Sequence, residues 1–224
     1  MSTILQDAIL ERAAAWRDCD CCESMKNGGN CVDSATEIYS GKNPIRAAWC
    51  AMTVFCFYKQ ACERLGIINS LPKTASARGL LELATEAGFA VSNDPSEADF
   101  FYIPPRSGST DSSGHVGTVF YTGHSSYLVT VEGNSSQKLR EVHHSWSEVR
   151  SQATYPGWKG SPYTGKRQKF IFCQQWNVPL WLSYNPLDSM SMGLFGPRNP
   201  QPIPECQPGR VCGRTTPRRK AVRR

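Results

Sequence analysis

Cys50, His115, Glu132 and Asn134 are residue types that together can carry out nucleophilic acyl transfer. That chemistry needs a thiolate to attack a carbonyl. It needs an imidazole to take the thiol proton and later hand it to the leaving amine. It also needs a group that fixes the imidazole tautomer and stabilises its charged form. Glu132 suits the orienting role, and Asn134 would assist it or bind substrate. The types alone decide little, because the chain holds 10 cysteines and 4 histidines. A cysteine on an apolar helix is more often core than nucleophile, and Cys56 and Cys62 read that way.

Cys50 differs by position. It follows Trp49 at the start of a helix expected over 48–65, and a helix N-terminus offers unpaired N–H groups and the positive end of the dipole. Both favour a nucleophilic thiolate over the thiol, and the same N–H groups can help hold a developing oxyanion. The other three residues are tested by register. If 116–121 and 127–132 form a hairpin with a four-residue loop, Gly123-His124-Ser125-Ser126, then Thr122 faces Tyr127, Gly117 faces Glu132 and His115 faces Asn134. Side chains alternate with period two, so His115, Glu132 and Asn134 would project from one face, with Glu132 a diagonal neighbour of His115. Gly117 leaves room for that contact. A slip of one residue would send Glu132 to the opposite face.

These residues need elements to hold them. Ile4, Leu5, Ala8, Ile9 and Arg12 recur at helical spacing and predict a helix over 4–17. In the 48–65 helix, Ala51, Val54, Phe55, Tyr58, Cys62 and Leu65 form the apolar stripe, and Gly66 marks its end. A third helix is expected over 74–87, with Thr74 or Ser76 as its cap and Gly88 as its stop. After residue 99 the period changes: 100–103, 116–121, 127–132 and 169–172 read as strands rich in aromatic and β-branched residues. Helices first and strands second indicate an α+β domain with N-terminal helices packed on a mostly antiparallel sheet.

The chain of 224 residues is 40% hydrophobic, enough for one real core. No apolar run is long enough for a spanning helix, and the first residues lack the basic start and clean apolar run of a secretory signal. The expectation is synthesis in the cytoplasm, with reduced cysteines and a monomeric product. The net charge of +6 is unevenly placed: residues 198–224 carry eight basic groups against Glu205, or +7, leaving the rest at −1. The domain is therefore expected over 1–178 and a Pro-rich basic tail over 179–224, disordered from about 197. Solvated disorder is the plain reading of that tail, and attraction to anionic envelope polymers or lipid the functional one. Specific nucleic-acid binding is not indicated, since no aromatic residues interleave the arginines. Cys19, Cys21, Cys22 and Cys31 are poorly spaced for zinc and read as unpaired structural thiols or an adventitious disulfide. Cys206 and Cys212 could bridge in an oxidising compartment. His143 and His144 read as a surface pair, and His124 as a solvent-facing loop residue. No cofactor or metal is expected.

Three runs resemble a known family. Ala48-Trp49-Cys50-Ala51-Met52-Thr53-Val54-Phe55 is similar to the nucleophile segment of CHAP domains (cysteine, histidine-dependent amidohydrolase/peptidase). Gly114-His115-Val116-Gly117-Thr118-Val119 and Thr130-Val131-Glu132-Gly133-Asn134-Ser135-Ser136 match downstream blocks in the right order. Between them, Thr74-Ala75-Ser76-Ala77-Arg78-Gly79-Leu80-Leu81 resembles a helix of a phage-associated, endolysin-like branch. The likeness covers about residues 23–136. It implies a papain-like fold and cleavage of peptidoglycan, either at the amide joining glycan to stem peptide or within the peptides. It assigns Cys50 as nucleophile, His115 as base, Glu132 as orienting acid and Asn134 as fourth member. A phage lysin or virion-associated enzyme acting on the cell wall is the implied role. A non-catalytic binding module of the same fold, and a bacterial effector or housekeeping amidase, are the alternatives. The chain departs from the family in having Ala98-Asp99 where many members have Gly-Asp before the first strand. Residues 38–49 hold no acidic group, so the calcium loop of some members is not expected, and no wall-binding module is recognisable.

Overall fold

The computed structural model describes residues 3–19, 21–106, 114–155 and 163–176. The basic tail, with Cys206 and Cys212, lies outside the described residues. The first helix, α1 (Ile4–Arg17), starts from a reciprocal cap: the Gln6 N–H donates to Thr3 Oγ1 and the Thr3 N–H to Gln6 Oε1, both at 3.1 Å. Its buried face runs through Ala8, Ile9, Ala13 and Trp16, while Ile4 is 74% exposed. The apolar stripe thus starts one turn later than its sequence spacing suggests. Trp16 anchors it, edge-on to Phe57 at 5.4 Å and donating to Gln60 Oε1 at 2.9 Å.

Helix α2 (Asn30–Ser40) has no side-chain cap, which is why no sequence signal announced it. Helix α3 (Cys50–Leu65) begins at Cys50 itself, two residues after the expected start, and ends at Gly66, whose φ of 66° closes it. It is buried on nearly every side, well beyond the expected stripe, because α1, α2 and the sheet all pack on it. Helix α4 (Ala77–Glu86) is capped by Ser76, whose Oγ accepts the Gly79 N–H at 3.1 Å.

The strands are β1 (Ala90–Ser92), β2 (Phe100–Ile103), β3 (His115–Tyr121), β4 (Tyr127–Ser135) and β5 (Lys138–Ser145). After the short α5 (Trp146–Val149) come β6 (Gln152–Tyr155), β7 (Gly165–Gln168) and β8 (Ile171–Gln174). Six of them form an antiparallel sheet in the order β1-β8-β2-β3-β4-β5, while β6 and β7 pair separately. The chain is therefore α+β, with N-terminal helices against an antiparallel sheet. The single strand expected over 169–172 is corrected: the chain bends at Lys169 and Phe170, separating β7 from β8.

Both faces of the sheet are covered. Phe100, Tyr102, Val116, Val131 and Cys173 join the main core with the helices. The alternate residues Phe101, Val119, Leu128 and Phe172 form a smaller core with Val149 and Phe170. The N-terminal cysteine cluster also departs from expectation. Cys21 and Cys31 form a disulfide, and Cys19 and Cys22 are disulfide-bonded as well. Of the two readings of this cluster, unpaired thiols are overturned and a disulfide is found. The bridged segment lies along the β4–β5 hairpin, where the Leu139 N–H donates to the Cys21 carbonyl at 2.7 Å.

Ala98, which stands where the resembled family often has glycine, takes a φ of 67°. Its N–H donates to the Val119 carbonyl at 2.9 Å, so the strained geometry is held in place by the sheet. A left-handed conformation costs an L-residue about 1–2 kcal/mol, which glycine avoids, although glycine gives back part of that through unfolded-chain entropy. Ala98 is also fully buried, so Ala98→Gly, which relieves the strain but removes a core methyl worth about 0.8 kcal/mol, is expected to leave the melting temperature within a few degrees of wild type.

Candidate active site

The β3–β4 register decides whether a site forms. Thr118 pairs with Val131 and Val119 with Thr130, which is the register the four-residue loop predicts and which sets Gly117 against Glu132. Nearer the turn the pairing shifts, and Tyr121 faces Val129. Phe120 is thus the extra residue of a β-bulge, and Thr122 does not face Tyr127 as the regular hairpin required. The extra residue offsets the one-residue shift at the turn, so beyond the bulge the expected register holds and with it the face assignment of His115 and Glu132.

Gly117 is the close approach that seats the acid. A Cβ there would lie 2.7 Å from Glu132 Cγ and 2.8 Å from the Phe101 ring. Glu132, 3% exposed at its side chain, crosses over Gly117, and His115 Nε2 donates to Glu132 Oε2 at 2.9 Å. With Nε2 so engaged, Nδ1 is the ring nitrogen left to serve Cys50, which shares the cleft with His115. Cys50 is the first residue of α3, whose opening turn has no side-chain cap and no acidic residue. The positive end of that helix is therefore uncompensated at the sulfur.

Asn134 reaches the site by another route than continued pairing with His115. The β4–β5 register becomes irregular between Glu132 and Ser135, and Asn134 has a φ of 58°, a conformation asparagine tolerates better than most residues. Gly133 makes this approach possible: a Cβ there would lie 2.1 Å from Thr53 Oγ1 and 3.0 Å from the Trp49 ring. The strand thus presses directly on the first turn of α3. On its other side Trp49 is held by Glu23, whose Oε1 accepts the indole N–H at 2.8 Å.

Cys50, His115 and Asn134 open into one cleft of about 390 Å³. Ala48, Ala75 and Ala77 give it small walls, and Pro104 and Arg106 its rim. The four expected residues are thus brought together: three line the cleft and Glu132 stands behind His115.

All four free thiols among the described residues, Cys50, Cys56, Cys62 and Cys173, are buried, but of these only Cys50 lines the cleft. Burial holds Cys56 and Cys173 well above the ordinary thiol range and pushes Cys62 up to about 12. They are inert core residues. At the site the balance goes the other way. Burial works against a charge on His115, but its interactions with Cys50 and with the Glu132 carboxylate, to which it is hydrogen-bonded, raise it from 6.5 to about 10. Burial likewise opposes the Glu132 carboxylate, and the bonds from His115 and His144 overcome it, leaving the acid far below its usual range.

No protein-family model, curated protein or solved structure matches this chain. The chemistry of the site rests on its own geometry. A thiol paired with a charged imidazole, oriented by a buried carboxylate beside a cleft, can perform acyl transfer.

The pH dependence has a definite sign. His115 is raised in the folded chain, so its ion pairing adds stability fully below about pH 6.5 and loses it as the pH rises through about 10. A leaving amine also needs that proton. Any amide hydrolysis is therefore expected to fall on the alkaline side near pH 10, measured as initial rate across a pH series.

One residue escaped the sequence reading. His144, expected at the surface, has a side chain only 12% exposed, and its Nε2 donates to Glu132 Oε1 at 2.6 Å. Its neighbour His143 is the outward member, about half exposed and stacked on Tyr127. The signal that separates them is strand alternation: His144 pairs with Leu128, and period two places it on the face of Glu132. His124 is half-buried against the Tyr127 ring, 3.6 Å between centroids, and so is not free in solvent.

Proposed function

We propose that this chain is a peptidoglycan hydrolase of the CHAP type, with a papain-like fold, that cleaves an amide or peptide bond of the cell wall through a cysteine acyl-enzyme. The observation that carries the reading is that Cys50 and His115 line one cleft, with His115 hydrogen-bonded to the buried Glu132 behind it. A binding module has no need of such a relay.

In this reading the Cys50 thiolate attacks the scissile carbonyl carbon, and the C–N bond breaks as His115 delivers its Nδ1 proton to the departing amine. A water then gives a proton back to His115 and attacks the thioester, releasing the carboxylate and the Cys50 sulfur. Glu132 holds the tautomer and the charge throughout. The first-turn N–H groups of α3 supply hydrogen bonds to the developing oxyanion, and Asn134 contacts substrate from the cleft wall. The small alanine walls suit an extended peptide laid across the thiol. A role as phage lysin or virion-associated enzyme fits this chemistry, with the basic tail drawing the chain to anionic envelope polymers or lipid.

The test is incubation of the full chain with purified peptidoglycan, following turbidity, new amino groups and new glycan reducing ends. The reading predicts clearing and a rise in amino groups with reducing ends flat. A rise in reducing ends alone would place the cut in the glycan and overturn it.

A further inference from the structure

Glu132 carries more than the relay requires of it. Oε2 accepts from His115, while Oε1 accepts from two donors, the Thr130 hydroxyl at 2.7 Å and His144 Nε2 at 2.6 Å. The His144 ring is itself fixed on several sides. Phe101 and Phe170 meet it edge-on, with centroids 5.9 and 4.9 Å away. Its Nδ1 lies 3.5 Å from Glu148 Oε2 on α5, and Lys169 holds the other Glu148 oxygen at 2.6 Å. The charged groups facing His144 are therefore Glu132 from β4 and Glu148 from α5, with Lys169 behind Glu148 and His115 across Glu132.

We propose that His144 is a positioning residue for the Cys50 site: it locks the Glu132 carboxylate in the rotamer that serves His115 and keeps it ionised. The inference rests on the acyl-transfer reading of that site. A carboxylate with two oxygens and one reacting partner can rotate unless its second oxygen is tied. Thr130 sits two residues away on the same strand and face, so it moves with Glu132. His144 comes from the neighbouring strand and ties Glu132 to a separate element. Donors to a carboxylate also favour its charged form, so losing the His144 bond makes Glu132 easier to protonate and weakens its hold on the His115 proton.

The experiment compares wild type, His144→Phe, His144→Gln and His143→Ala as full chains, with circular dichroism to confirm folding. Two readouts are taken: kcat and KM on purified peptidoglycan, and the pH profile of Cys50 alkylation by iodoacetamide, followed by mass spectrometry. His144→Phe should move the acid limb of alkylation to higher pH by about one unit and lower kcat about tenfold or more with KM little changed. His144→Gln, which restores a donor to Oε1, should return both to near wild type, and His143→Ala should track wild type throughout. Should the phenylalanine variant not fold, His144→Asn, too short to reach Oε1, takes its place. A His144→Phe profile that overlays wild type, a His144→Gln variant as impaired as His144→Phe, or an equal shift in His143→Ala would each overturn the inference. Alkylation needs no substrate, so the two ideas fail separately. A shifted profile in a protein inert on walls leaves His144 in its role and overturns the hydrolase, whereas wall cleavage with an unshifted profile does the reverse.

Discussion

Cys50→Ala is expected to abolish wall hydrolysis while the protein folds as wild type. The other free thiols among the described residues cannot substitute, since Cys56, Cys62 and Cys173 are buried and their thiols are held in the protonated form. Among the described residues, no second nucleophile stands beside His115 in the cleft lining. The lost side chain is small, and alanine, a good helix former, fits the buried start of α3 in its place. Cleavage of purified peptidoglycan should fall to background, with the melting temperature within a few degrees of wild type. Retained activity would place the nucleophile elsewhere.

Glu132→Gln carries the second largest effect, expected at about 10²–10⁴ in kcat. The two carboxylate oxygens accept three hydrogen bonds, from His115, Thr130 and His144. An amide offers only one oxygen. If its NH₂ faces His115, Nε2 must become an acceptor and the ring proton moves to Nδ1, against Cys50, which is the wrong tautomer for a base. If its NH₂ faces the other side, it meets the donors of Thr130 and His144. In either placement the imidazolium loses the negative charge that raises it. The check is kcat against KM on peptidoglycan, together with the alkaline limb near pH 10, which should move to lower pH in the variant because His115 no longer faces a charge. An unchanged limb would remove Glu132 from the relay.

The parts of the site legible in the sequence were those set by local rules. Gly66 ends α3 because a left-handed residue is needed there. Gly117 faces Glu132 as the expected register requires, although the pairs next to the turn are one residue out and the bulge at Phe120 restores that register. Less legible were features whose usual signals are absent. The β4–β5 turn passes through Ser136 and Gln137, both at positive φ, where a tight hairpin normally shows glycine or asparagine. Strand β5 was therefore not foreseen, and His144 with it. Its run of charged residues suits a half-exposed edge strand and hides the alternation. Helix α2 lacks a side-chain cap, and pairing of Cys21 with Cys31 cannot be deduced from spacing. The stripe of α3 was correct as far as it went, but a helix surrounded by neighbours buries residues that periodicity assigns to solvent.

In the proposed mechanism one thiol, Cys50, does the chemistry. Its most direct test is titration of the wild-type chain with iodoacetamide at pH 6, scoring amino-group release from purified peptidoglycan against the label at each cysteine. Activity should be lost in step with labelling of Cys50, while Cys56, Cys62 and Cys173 stay unmodified. Full activity in protein whose Cys50 is completely labelled would contradict it.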